Sequence, residues 1–122
     1  MTLEGAAPMR DAGLILKRTT PADALVVAAD SGDPTIFYYA ERKGWHFLEK
    51  DGIFYGEPHY SAEAIVDLES LRKRGATFLV FTSDTSWWLD YYQELGTYVA
   101  NNAQSVETNP EFKIYKLNPL SK

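Results

Sequence analysis

Residues 24–37, ALVVAADSGDPTIF, carry the reading that decides the fold. Ala24 to Ala29 is a short unbroken apolar run with paired valines, the pattern of a strand buried on both faces. Asp30-Ser31-Gly32 interrupts it with turn-forming residues. Asp33 is a natural N-cap and Pro34 a natural first helical residue. A helix is therefore predicted to open there and to run through Ile36, Phe37 and Ala40 to about Gly44. A buried strand that turns directly into a helix is the opening of a parallel α/β unit.

The flanking segments extend the same alternation. Met9, Ala12, Ile15 and Leu16 recur at helical spacing, predicting a helix over 9–19 that Thr20-Pro21 stops. Trp45 to Leu48 reads as a second strand. Asp51-Gly52 signals a tight turn from which Ile53-Phe54-Tyr55 pairs back as a hairpin. Ser61 caps a helix over 62–74. Ala64, Ile65, Leu68 and Leu71 form its apolar face, while Asp67, Arg72 and Lys73 lie elsewhere. Gly75 ends that helix, and Thr77 to Phe81 (TFLVF) is another central strand closed by Thr82-Ser83-Asp84. A helix opening near Ser86 carries Trp88, Tyr92, Leu95 and Val99, with Gly96 as the point where it splits. Residues 104–107 and 112–117 form a last strand pair joined at Asn109-Pro110. Phe112, Ile114 and Leu117 do not alternate cleanly, which leaves its register open. The expected architecture is α/β, a three-layer Rossmann-like sandwich with a mainly parallel sheet and the last strand antiparallel at an edge. The expected division is a flexible leader over 1–8, one domain over 9–118 and a tail over 119–122.

Composition bounds the partners. The chain has 122 residues, 45% hydrophobic and 24% charged, which suits one globular domain with a real core. Its formal net charge of -5 disfavours a phosphate-backbone partner, so no nucleic acid is expected. The basic cluster Arg72-Lys73-Arg74 sits where cations favour a helix C-terminus. There is no cysteine, which excludes disulfides and thiolate chemistry. No apolar run reaches the ~18 residues of a membrane span. Met1-Thr2-Leu3-Glu4-Gly5 lacks the basic-then-apolar order of a signal peptide.

In a parallel sheet, ligands collect beyond the carboxyl ends of the strands. Asp30 and Asp33 follow one strand, and Ser83 and Asp84 follow another. A phosphoryl-transfer reading would want two aspartates two apart and a second acidic pair for Mg²⁺. Asp30 and Asp33 are three apart and no later strand ends in an acidic pair. The first strand-to-helix turn has Gly32 but no G-x-G-x-x-G, and no P-loop pattern occurs, so no cofactor is expected. His46 and His59 could bind zinc with Glu57, but they lack ligand spacing, and no metal is expected. The aromatic load is high, with 8 Tyr, 6 Phe and 3 Trp. Adjacent helical residues point about 100° apart. Trp88 and Tyr39 are therefore read as core, and Trp87, Tyr38 and Tyr91 as either rim packing or stacking surface.

The segment VVAADSGDPTIFYYAERKGWHF, residues 26–47, resembles the C-terminal extracytoplasmic region of polytopic lipid-linked-sugar glycosyltransferases, the protein-mannosyltransferase and aminoarabinose-transferase-like proteins. The features are Asp30 with Asp33-Pro34, then Tyr38-Tyr39, then Arg42-Lys43-Gly44-Trp45. LESLRKRGATFLVFT, residues 68–82, and FKIYKL, residues 112–117, match the same region. The resemblance covers residues 10–118 as an order of elements. It implies a non-catalytic domain on the outer side of a membrane, attached to a transmembrane portion of the same polypeptide that holds the catalytic acids and metal. It also implies contact with a glycan or acceptor through Asp30, Asp33, Tyr38, Arg42 and Trp45. Arg42 and Lys43 would meet a phosphate and Trp45 would stack on a sugar, against the alternative roles of helix-end charges and core tryptophan. Two other readings stand beside it: a small-molecule-binding or protein-interaction domain, and a small phosphoryl-transfer enzyme.

Overall fold

The computed structural model describes residues 7–50, 53–54 and 56–119. The apolar run is strand β1, Leu25–Ala29, and the helix after it is α2, Thr35–Ala40. Before them lies α1, Ala7–Thr19. After them come β2 (Lys43–His46), the short β3 (Glu49–Lys50) and β4 (Ile53–Phe54), α3 (Ser61–Lys73) and β5 (Ala76–Thr82). The chain closes with α4 (Trp88–Tyr91), α5 (Gln93–Asn102), β6 (Ala103–Thr108) and β7 (Phe112–Leu117). Five strands form one mixed sheet in the order β2-β1-β5-β7-β6. β1 pairs in parallel with both β2 and β5. β7 is antiparallel to β5, and β6 to β7. β3 and β4 form a separate antiparallel hairpin: Ile53-Phe54 pairs back as expected, but on Glu49–Lys50 and not on the second strand, and Tyr55 lies outside the described residues. The Asp51-Gly52 turn itself lies outside the described residues.

Helices cover both faces of the sheet. On one side Ala12, Leu16, Ile36 and Ala40 of α1 and α2 meet Val26, Ala28, Phe78 and Val80. On the other, Ala64, Leu68, Leu71, Trp88, Leu95 and Val99 of α3, α4 and α5 meet Val27, Ala29, Leu79 and Phe81. β1 and β5 are thus buried on both faces, which is why they read as unbroken apolar runs. Each large side chain fully buried here contributes roughly 1.5–3 kcal/mol.

Several expectations are corrected. The last strand is antiparallel but lies inside the sheet, between β5 and β6, and β6 is the edge. Its broken alternation follows from that position: Phe112 and Ile114 face the α1 side while Tyr115 and Leu117 face the α5 side. The α2 helix stops at Ala40, not Gly44, because Glu41 takes a left-handed conformation at φ 53°. Gly44 lies in β2 instead, and the second strand is Lys43–His46 rather than 45–48. Ser61 is the first residue of α3, with Tyr60 in the capping position. Asp67 and Arg72, expected outside the apolar face, are buried. Arg72 donates to the Tyr98 hydroxyl and to the Asn118 carbonyl, both at 2.7 Å, and so ties α3 to α5 and to the segment after β7. The split between α4 and α5 falls at Tyr92, whose φ −92° and ψ 83° leave the helical region, and not at Gly96. Gly96 serves a close approach: a β-carbon there would sit 2.2 Å from the Leu89 carbonyl oxygen.

Candidate functional site

Because β1, β2 and β5 run parallel, their carboxyl ends open on the same side of the sheet. β1 ends into Asp30, β2 ends on His46, and β5 ends on Thr82. Thr85 holds two of these ends together. Its hydroxyl donates to the Ala29 carbonyl at 2.6 Å and accepts from the Thr82 amide at 3.0 Å, and the residue is buried.

Asp30 has no exposed surface. Both of its carboxylate oxygens meet His46 Nδ1, at 2.8 and 3.0 Å, and the Gly32 amide donates to Oδ1 at 3.0 Å. Burial pushes the Asp30 carboxyl up to about 6, against the downward pull of the His46 hydrogen bond. Asp33 behaves oppositely. It is exposed, and its carboxylate accepts from the Thr35 hydroxyl and from the Thr35 amide, which hold it below the usual carboxylate value. The two aspartates that opened the phosphoryl-transfer reading therefore have separate partners and opposite electrostatics.

Ser83 and Asp84 are exposed beyond β5. With Pro8, Met9, Thr82 and Phe112 they line a cavity of about 280 Å³ beside the start of α1. Trp87 stands next to them, 40% exposed, and its indole N–H donates to the Asp84 carbonyl at 2.7 Å. Tyr91, 71% exposed, meets the Trp87 ring at 5.7 Å between centroids, and Tyr92 packs beneath both. Ser83, Asp84 and Trp87 thus form one group, to which Tyr91 belongs.

Arg42 and Trp45 lie elsewhere. Arg42 precedes β2 and sits at the amino end of the strands. All five guanidinium donors are committed: Nε to the Thr20 hydroxyl, Nη1 to the Ala40 and Glu41 carbonyls, and Nη2 to the Lys17 and Thr20 carbonyls. It closes the carbonyl ends of α1 and α2, and no donor is left for a phosphate. Arg42→Ala is expected to lower stability by about 2 kcal/mol, from net hydrogen-bond worth, read as a shift in the urea midpoint. Trp45 is half-buried against the α3-side core with the Arg74 guanidinium 5.1 Å from its ring centroid. Tyr38, 74% exposed on α2, packs edge-on against Tyr39 at 5.1 Å.

The Asp30–His46 pair escapes a motif search because its members are sixteen residues apart. Asp30 shows as the polar residue after the apolar run of β1, but His46 ends the polar, half-exposed β2 and gives no such signal. The chain matches no family model, no curated protein and no solved structure.

Proposed function

We propose that this chain is a non-catalytic module of a membrane glycosyltransferase acting on lipid-linked sugars. It lies on the extracytoplasmic side and contacts glycan or acceptor at the carboxyl ends of its strands. Its partner is the transmembrane portion of the same polypeptide. The sheet, with helices on both faces and three parallel strands at its centre and one edge, is read as a Rossmann-like scaffold for that contact. The order of elements supports the reading, since it is the order on which the resemblance rests. The observation that carries it is the group at the end of β5: the exposed Trp87 and Tyr91 rings beside Ser83 and Asp84. An aromatic face bordered by hydroxyl and carboxylate acceptors suits a sugar ring, whose C–H face stacks while its hydroxyls donate. Trp87 takes the stacking role first expected of Trp45, whose ring is covered by Arg74.

Two measurements test this. In the natural gene, a reading frame with about ten apolar stretches of ~20 residues joined to this domain would support the parent, and a free-standing frame would sink it. In the full-length enzyme, Trp87→Ala is expected to cut sugar transfer about tenfold, the equivalent of a lost aromatic stack of roughly 1.4 kcal/mol. Unchanged transfer with the domain still folded would remove the contact.

A further inference from the structure

α1 ends at Thr19, and Pro21 leads the chain toward β1. There, at the amino ends of β1 and β5, a hollow of about 480 Å³ opens on the α1 side of the sheet. Pro21, Leu25, Phe78 and Val106 give it apolar walls, and Asp23 and Lys116 border it. Lys116 faces it because β7 alternates: Phe112 and Ile114 point to the α1 side, and Lys116, two residues on, follows them. Across the sheet Lys116 lies opposite Phe78. Val106 is placed by a bulge. Ser105 pairs with Tyr115 and Glu107 with Ile114, which leaves Val106 as the extra residue, 38% exposed. The wall beside α1 is held by Arg42, which donates to the Thr20 hydroxyl and to the Lys17 and Thr20 carbonyls.

We propose that this hollow is a binding site for a small monocarboxylic acid with an apolar body. The carboxylate meets the Lys116 ammonium while the body covers Phe78 and Val106. The volume falls among those of preformed ligand sites, ~300–1,000 Å³, whose walls are mostly apolar with a few polar groups. The Lys116 side chain makes no hydrogen bond or ion pair among the described residues. A carboxylate beside an apolar wall gives it a charge-assisted pair partly shielded from water. Asp23 selects against a second acidic group on the ligand. It precedes β1, and β5 separates β1 from β7, so the strands behind the two charges stand ~10 Å apart and the charges do not neutralise each other. A second copy of this chain adding a strand at the β6 edge is disfavoured by the same bulge and by the polar Gln104, Ser105 and Glu107 around Val106. The inference goes beyond the glycosyltransferase reading, since the hollow lies at the opposite end of the parallel strands from Ser83 and Asp84 and is tested on this chain alone.

Phenylbutyrate is the probe, and phenylbutylamine is its counterpart with the same body and the opposite charge. Titration of the chain with phenylbutyrate, followed by amide NMR, is expected to shift the Gly75 and Val106 resonances saturably and to leave Gly32, at the other end of β1, in place. The amine is expected to bind about tenfold more weakly, because Lys116 repels it. Lys116→Gln is expected to weaken the acid about tenfold and not the amine. Val106→Asp is expected to abolish binding of the acid. Both side chains are exposed, so the variants keep the fold. The comparison of acid with amine is made on the unsubstituted chain, so it stands even where a variant folds poorly. No saturable shift, equal binding of acid and amine, acid binding unchanged in Lys116→Gln, or Val106 shifts that follow protein concentration and so mark a second copy would each overturn the site.

Discussion

Gly44→Ala is expected to destabilise the chain by more than about 4 kcal/mol, the range reserved for substitutions that break a core element. Gly44 pairs with Val26 across the parallel β1–β2 contact at φ 155°, where L side chains are strained. A β-carbon there would lie 1.8 Å from the Val26 carbonyl oxygen and 2.7 Å from its carbonyl carbon. The obstacle is backbone of a fully buried strand, so neither rotamer change nor side-chain repacking relieves it. β2 is the sheet edge, and it can escape only by parting from β1. That would take Trp45 from the α3-side core and His46 from Asp30. Urea unfolding followed by circular dichroism measures the loss. The Gly32 amide resonance, hydrogen-bonded to Asp30, reports the site. A midpoint shift worth less than about 1 kcal/mol would contradict the Val26–Gly44 approach, since a clash of this kind is costly wherever it occurs.

Gly44 also marks the limit of what the sequence made legible. As a residue after a helical pattern it reads as a helix stop, because glycine ends helices and is rarer in strands. The helix stops three residues earlier since Glu41 itself takes positive φ, held by its amide bond to the Phe37 carbonyl at 3.0 Å. Nothing local distinguishes the two cases. The choice is made by β1, against which only a glycine lets the second strand approach. The central strands, by contrast, announce themselves, because burial on both faces leaves no polar position in Val26–Ala29 or Phe78–Phe81. β7 places buried residues on both faces, Phe112 and Ile114 on one and Leu117 on the other, but half-buried Lys113 and exposed Lys116 interrupt its apolar pattern, and this disguised an interior strand as an edge.

The site was legible in outline and not in its contacts. Loops after buried parallel strands must lie at one end of the sheet, so Asp30, Asp33, Ser83 and Asp84 follow from topology alone. Arg42 was misplaced because a charged residue after a helix looks the same whether it faces solvent or closes carbonyls. Its partners, Lys17 and Thr20, belong to another helix end and cannot be inferred from spacing. Trp87 and Trp88 could be separated by the helical angle, and one is exposed while the other is buried. The Asp30–His46 contact required strand order, which β1 and β2 do not reveal until they are known to be neighbours.

That contact governs how stability varies with pH. Burial raises the Asp30 carboxyl from 3.8 to about 6, so the folded chain holds this proton more tightly than the unfolded chain does. The contribution is fully present below the unfolded value and is lost as pH rises through about 6, where an ionised carboxylate has to remain inside the protein. A shift of this size corresponds to roughly 3 kcal/mol. Asp30→Asn keeps the shape and cannot ionise. Titrating groups out of contact with Asp30 contribute equally to both proteins and cancel in their difference. The unfolding free energy of the variant minus that of the parent is therefore expected to rise by about 3 kcal/mol between acid and neutral pH, most of it between 3.8 and 6. Urea titrations at a series of pH values measure it. The His46 hydrogen bond already enters the balance that sets the Asp30 value, so its loss in the variant is part of the same difference. A flat difference would mean that Asp30 ionises as freely in the fold as out of it, which a carboxylate with no exposed surface cannot do unless water reaches it. A difference that falls with pH would mean that the attraction to His46 outweighs burial, and the pair would then be a stabilising ion pair rather than a charge held inside at a cost.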